Sequence, residues 1–206
     1  HDLTNDDLKF FLKIIDFVKI KCGKEVYLSK NNFNILRLKS LLNFFSDSYF
    51  FIIFRNPLEQ ANSLFKQHLN FLKLQKNDKF ILDYMSSLGH FDFGLNHKYY
   101  LFDDKIKNEI KDFDLNYWLS TWINVYSYLH KFKNKYENCK FICYENLCYK
   151  KKEYLKNFIP KEKIILDSIN FDNFKNKNRN IDNKLFNDSL VQKSLSLYSS
   201  LKDDIN

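Results

Sequence analysis

Glycine and proline are scarce in this chain of 206 residues, which contains three glycines and two prolines. No stretch rich in Gly, Ser or Pro marks a linker, and no repeat of solenoid length is present. We therefore predict a single domain over residues 1–206, long enough to bury a sizeable core.

Long apolar runs are also missing, and none approaches the roughly 20 residues of a membrane-spanning helix. The four cysteines form no Cys-x-x-Cys pair and have no histidine at zinc-finger spacing. We expect no membrane span, no metal and reduced thiols in a cytoplasmic protein. Because Cys139 and Cys143 lie in an apolar stretch, we expect both to be buried.

Apolar residues make up 45% of the chain and aromatic residues 18%, which excludes the disordered class. The 33 Lys and Arg residues against 25 Asp and Glu give a net charge of +8. A basic chain of this kind suits an anionic ligand without identifying it. The lysines of residues 150–152 are expected to form a solvated face.

Hydrophobic spacing predicts helices separated by short strands. The strands are expected at 25–29, 49–54 and 140–144, and a loop at 89–97. The 49–54 run is continuous and apolar, so we expect it to be covered on both faces. Helices are predicted over 4–21, 34–45, 57–75, 78–88, 114–136, 151–158 and 184–201. This order is typical of an α/β fold with a parallel sheet flanked by helices.

Polar residues follow each predicted strand, and ligands of open parallel sheets bind at the carboxyl ends of the strands. Lys30 follows the first strand, Arg55 the second, and Tyr144 and Glu145 the third. The Arg55 guanidinium suits a phosphate, and the next helix adds N-terminal amides and Ser63 two turns later. The alternative is that Arg55 pairs with Glu145 and that Ser63 is only a small packing residue.

Residues 29–68, SKNNFNILRLKSLLNFFSDSYFFIIFRNPLEQANSLFKQH, resemble the central part of the sulfotransferase family. The shared pattern is Lys30, the stretch 34–38, Asp47 before a strand, Arg55 at its end and Ser63 after it. Residues 143–158, CYENLCYKKKEYLKNF, resemble a later turn and helix of the same family. The match covers 25–68 and 140–158 well and the remainder loosely.

The resemblance implies a P-loop-nucleotide-binding-like sulfotransferase fold and 3′-phosphoadenosine 5′-phosphosulfate as the sulfuryl donor. It assigns Arg55 and Ser63 to the donor's 3′-phosphate, Tyr144 to its adenine and Lys30 to the transferred group. A basic C-terminal segment often closes over the 3′-phosphate in this family. Its counterparts here are Lys175, Lys177 and Arg179, although the family's glycines are missing.

Two departures from the family stand out. No glycine-rich loop is present to hold the 5′-phosphosulfate, so we expect that an N-terminal piece with the central strand is absent and that this chain alone is inactive. Asn32 stands where the cytosolic branch has a histidine base. The candidates on the acceptor side are His68, His90, Asp92 and His97.

The sequence therefore predicts a sulfotransferase that acts on a hydroxyl group of a carbohydrate or small molecule, with no nucleic acid as partner. Sulfuryl transfer resembles phosphoryl transfer, in which a cation stabilises charge on the leaving oxygen. One alternative is a basic module that binds nucleic acid. Another is a phosphate-loop enzyme, such as a nucleotide kinase, that has lost its loop.

Overall fold

The computed structural model describes residues 3–99, 102, 113–159, 169–175 and 181–202. The secondary structure of these residues is mostly helical. The helices and strands are α1 Asn5–Cys22, α2 Leu38–Phe44, β1 Phe50–Phe54, α3 Pro57–Asn77, α4 Lys79–Ser87, α5 Leu115–Lys133, β2 Cys139–Cys143, α6 Tyr144–Leu155 and α7 Asp188–Lys202. Short 3₁₀ turns occupy Asn32–Arg37, Phe171–Asn173 and Asn183–Leu185.

The chain divides into two compact units. Unit 1 consists of residues 1–52 and 132–140, and unit 2 of residues 53–131 and 141–206. This division does not test the expectation of one sulfotransferase-like domain. We describe each unit separately.

Unit 1 begins with α1, whose two ends follow from its sequence. The Thr4 hydroxyl accepts from the Asp7 amide at 3.2 Å, and the Asp7 carboxylate accepts from the Thr4 amide at 3.0 Å. Gly23 ends the helix with φ +59°, a conformation that glycine adopts at little cost. The prediction of a helix over 4–21 is confirmed.

The predicted strand at 25–29 is wrong. These residues form no strand, and Val26 and Leu28 are 63% and 86% exposed. A strand needs a neighbour for its backbone amides and carbonyls, and within the described residues the sheet contains only β1 and β2. Apolar alternation without a partner strand therefore did not produce a strand here.

The predicted helix at 34–45 divides into the 3₁₀ turn Asn32–Arg37 and α2. Asn31 caps the turn, because its side chain accepts from the Phe33 amide at 2.9 Å. Leu38, Leu41 and Leu42 are buried, as their spacing predicts, and they belong to the core of unit 1.

The two strands form a parallel two-stranded sheet, and the fold is mixed α/β. Two strands are confirmed close to the predicted positions of 49–54 and 140–144. The expectation that the first is covered on both faces is wrong, because Ile53 is 53% exposed beside the fully buried Phe54. Within the described residues, each strand has one neighbouring strand.

Helix α5 forms the core of unit 2. Trp118, Trp122 and Tyr126 are buried, as predicted from their positions on one face. Two of these side chains bond to neighbouring elements: the Trp122 indole N–H donates to the Gln60 side chain at 3.2 Å, and the Tyr126 hydroxyl donates to the Ile53 carbonyl at 2.8 Å. These bonds connect α5 to α3 and to the end of β1.

Helix α6 begins at Tyr144, earlier than the predicted helix at 151–158. A break at Lys151, with φ 48° and ψ −122°, separates its first part from the part that the sequence predicts. In β2, the Cys139 and Cys143 side chains are buried, as expected. In the part of the chain that the structure describes, no helix has the length and apolar character needed to cross a bilayer.

Candidate phosphate-binding site

Arg55 lies between the end of β1 and the start of α3, and its side chain is half-buried. One guanidinium nitrogen donates to the Glu59 carbonyl oxygen at 3.3 Å. In an α-helix this carbonyl also accepts from the amide of Ser63, four residues later. The structure therefore places the guanidinium beside the turn of α3 that carries the half-buried Ser63.

The first amides of α3 are already capped. The Asn56 side-chain oxygen accepts from the Leu58 amide at 3.0 Å and from the Glu59 amide at 3.1 Å. The expectation that these amides bind the anion is therefore wrong, because Asn56 satisfies them first. What this end of α3 offers an anion is its partial positive charge, close to the guanidinium.

Glu145, at the start of α6, does not pair with Arg55. One carboxylate oxygen accepts from the Asn56 amide at 2.7 Å, and the other accepts from the Cys143 thiol at 3.2 Å. Among the described residues, no ion pair within 4.0 Å joins Arg55 to Glu145. The alternative interpretation of an Arg55–Glu145 pair is therefore wrong.

Tyr144 is half-buried at the first position of α6, and its hydroxyl donates to the Lys175 carbonyl at 3.3 Å. Burial and then the neighbouring Cys148 thiol raise the pKa of Tyr144, while the positive charge of Arg55 acts in the opposite direction. The structure thus brings together three predicted site residues: Arg55, Tyr144 and the backbone of Lys175. Lys177 and Arg179 lie outside the described residues.

Lys30 lies in unit 1, in the segment without regular secondary structure that precedes the 3₁₀ turn, and its side chain is exposed. Its assignment to the transferred group stays a prediction of the resemblance.

Two acceptor-side candidates meet in unit 2. The ring centroids of His68 and His97 lie 5.4 Å apart, and both rings pack against Trp118. His68 Nδ1 accepts from the Gly94 amide at 3.2 Å. His97 Nδ1 donates to the Phe91 carbonyl at 3.1 Å, so its Nε2 is the acceptor for the Tyr117 hydroxyl at 2.6 Å.

Burial favours the neutral forms in this cluster. Burial lowers the pKa of His68, and the charge of His97 lowers it further. Burial also lowers the pKa of His97, although hydrogen bonds to the backbone of Phe91 and Asp92 act in the opposite direction. Burial also raises the pKa of Tyr117 to about 12. Because both ring nitrogens of His97 are engaged within the protein, this arrangement suits a structural role for His97 better than that of a base.

The other two acceptor-side candidates lie at the same loop. His90 is exposed, and Asp92 is close enough to His97 for its charge to raise the pKa of that ring. Within the described residues, no three His, Cys, Asp or Glu side chains group as metal ligands.

Tyr198 of α7 is a site residue that the sequence did not reveal. Its hydroxyl lies 3.8 Å from the Cys143 sulfur and next to the Glu145 carboxylate. Burial, followed by the charges of Glu145 and Cys143, raises the pKa of Tyr198. Its place in an amphipathic helix resembled that of any core aromatic, so no sequence signal singled it out.

Comparison with family models, with curated proteins and with solved structures found no match to this chain.

Proposed function

We propose that unit 2 binds the 3′-phosphate and adenine of 3′-phosphoadenosine 5′-phosphosulfate, and that the protein is a sulfotransferase acting on a hydroxyl group of a carbohydrate or small molecule. The observation that carries the proposal is the state of Arg55. Its guanidinium lies at the end of β1 beside the turn that carries Ser63, and no carboxylate among the described residues pairs with it.

A guanidinium held in this way suits a phosphate dianion. Its planar arrangement of five N–H donors matches two phosphate oxygens, and one hydrogen bond to the Glu59 carbonyl leaves most of these donors for a ligand. Partial burial reduces screening by salt and water, which strengthens the contact. Ser63 would add one neutral donor.

Tyr144 supports the adenine part of the proposal. It begins α6 directly after β2, and the charge of Arg55 acts on it. An aromatic ring beside a phosphate-binding arginine offers a stacking surface for the base of the same nucleotide. The contact of its hydroxyl with the Lys175 carbonyl brings the start of the basic C-terminal segment to this place.

The test is a calorimetric comparison of adenosine 3′,5′-bisphosphate with adenosine 5′-monophosphate. A hydrogen bond to a charged group contributes about 1.5–3 kcal/mol, so two such contacts predict a preference of at least about 100-fold for the bisphosphate. Arg55→Ala should remove most of this preference and leave monophosphate binding nearly unchanged. Arg55→Lys should restore only part of it, and Ser63→Ala should have the smaller effect.

Lys73→Ala is the matched control, because it removes one exposed positive charge from the same helix without touching the site. Equal affinity of the unmutated protein for both nucleotides would overturn the proposal. Tighter binding of ATP than of the bisphosphate would favour a nucleotide kinase instead.

A further inference from the structure

Glu145 connects the start of α6 to the turn that carries Arg55. Its Oε1 atom accepts from the Asn56 amide at 2.7 Å, across 89 positions of sequence. This amide belongs to the peptide group that joins Arg55 to Asn56. A hydrogen bond to it therefore restricts the backbone rotation that directs the Arg55 side chain.

The other side of the turn is fixed as well. Pro57 fixes its own φ as the first residue of α3, and the Asn56 side chain caps the amides of Leu58 and Glu59. The preceding peptide group takes its partner from elsewhere in the chain, and Glu145 provides it.

The second oxygen of Glu145 is also engaged. Oε2 accepts from the Cys143 thiol at 3.2 Å, and the Tyr198 hydroxyl lies beside the same carboxylate. Both oxygens of Glu145 therefore accept from donors other than the Arg55 guanidinium. Arg55 and Glu145 belong to one region of unit 2 without forming an ion pair.

We propose that Glu145 is a positioning residue for Arg55: it fixes the turn between β1 and α3, and its contacts with Cys143 and Tyr198 leave the guanidinium for an anionic ligand. The positioning of the turn stands on the contacts alone, whereas its consequence for a nucleotide rests on the proposed function. The two parts are therefore tested by separate measurements.

The first measurement needs no ligand. A backbone N–H that donates to a carboxylate senses the charge of that carboxylate. Glu145→Gln keeps an acceptor oxygen for the amide but removes the charge, so the Asn56 amide proton resonance should move at constant pH while the spectrum stays that of a folded protein. Glu153→Gln, on the same helix and exposed, is the matched control and should leave the Asn56 resonance unchanged. An Asn56 resonance that stays in place in Glu145→Gln overturns the proposal.

The second measurement follows exchange of the Asn56 amide and nucleotide binding in Glu145→Ala. Loss of a hydrogen bond to a charged group should speed exchange of this amide by about tenfold or more, and Glu145→Gln should restore most of the protection. The same variant should reduce the preference for adenosine 3′,5′-bisphosphate over the monophosphate. Faster exchange without any nucleotide preference in the unmutated protein would refute the proposed function and keep the positioning role. Unchanged exchange in a folded Glu145→Ala protein would refute the positioning role.

Discussion

His68 and His97 attach the loop at 89–97 to α3 and α5 through their neutral rings. His68 accepts from the Gly94 amide, and His97 accepts from the Tyr117 hydroxyl. A protonated His68 has no lone pair at Nδ1 for the Gly94 amide, so protonation breaks this contact, whereas protonation of His97 forces the Tyr117 hydroxyl to change from donor to acceptor. The folded protein therefore resists protonation, which agrees with the lowered pKa of both histidines.

The stability of the protein should for this reason fall on the acid side of neutrality. Both histidines have a folded-state pKa below the ordinary value of 6.5, so the unfolded chain binds more protons as pH drops through this value. Their contribution to stability is complete above about pH 6.5 and is lost as pH falls below it. Denaturant unfolding of the unmutated chain between pH 8 and pH 5 measures this loss.

Variants at His97 separate its contribution from that of the carboxylates. His97→Gln should cost about 1 kcal/mol at pH 8, since it loses the contact with Tyr117. The gap to the unmutated protein should shrink at pH 5, where keeping His97 neutral already costs the unmutated protein stability. His90→Gln removes an exposed histidine and should follow the unmutated protein at both pH values. A gap that is constant with pH would show that folding does not change the protonation of His97, and so that its pKa is not lowered in the folded protein.

Single residues with a local signal were predictable from the sequence. Asn56 before Pro57 marks the start of α3, and Thr4 and Gly23 mark the two ends of α1, because capping depends on residues only a few positions apart. The hydrogen bond from the Asn56 amide to the Glu145 carboxylate was not predictable, since it joins residues 89 positions apart. The sequence placed Glu145 near Arg55 and suggested an ion pair, but it could not show which donors are closer.

Among the elements, α6 has two parts: the sequence predicts the part that follows Lys151 but not the part that precedes it. Lys151 separates them with φ 48°, a region that a residue with a Cβ atom enters only at a cost of about 1–2 kcal/mol. Its ammonium pairs with Asp172 at 3.1 Å, but both side chains are exposed, so this pair contributes little. No Gly or Pro near position 151 signals this break in the sequence.

Lys151→Gly should therefore stabilise the protein, by up to about 1 kcal/mol, because glycine tolerates a positive φ. Lys150→Gly, one position earlier in helical geometry, should destabilise it by about 1 kcal/mol. Lys151→Ala removes the ion pair but keeps the Cβ atom, so it should bring no gain. Thermal melts of the three variants measure these effects, and equal effects of Gly and Ala at position 151 would contradict backbone strain at this residue.

The predicted strand at 25–29 shows the limit of periodicity at the level of elements. Alternating apolar residues predict a strand only when another strand supplies its hydrogen bonds, and this condition depends on tertiary structure. The helices were predicted more reliably, because the hydrogen bonds of a helix lie within its own sequence. This difference explains why α1, α3, α4 and α5 agree with their predicted positions.

At the scale of the whole molecule, the net positive charge of 33 basic against 25 acidic residues could by itself explain the binding of an anion. This explanation competes with binding at the Arg55 site. A protein that binds through its net charge should prefer a polyanion, and raising the salt from 50 to 200 mM should weaken that binding steeply. A protein that binds through one half-buried guanidinium should instead distinguish ligands by the position of a phosphate. The two explanations therefore predict different responses to salt.

We expect the 3′-phosphate preference to change by less than about threefold between 50 and 200 mM salt, because a half-buried contact is poorly screened. The affinity for a single-stranded RNA of ten nucleotides should fall by at least about tenfold over the same range, since several phosphates lose their contacts with exposed lysines together. Titrations of both ligands at the two salt concentrations, repeated with Arg55→Ala, measure the difference.

Arg55→Ala should reduce the preference for the bisphosphate and leave the RNA curve nearly unchanged, because only one of 33 positive charges is lost. RNA that binds more tightly than the bisphosphate at 200 mM salt would identify the protein as a nucleic-acid-binding module, and the Arg55 site would then be only one contact among many.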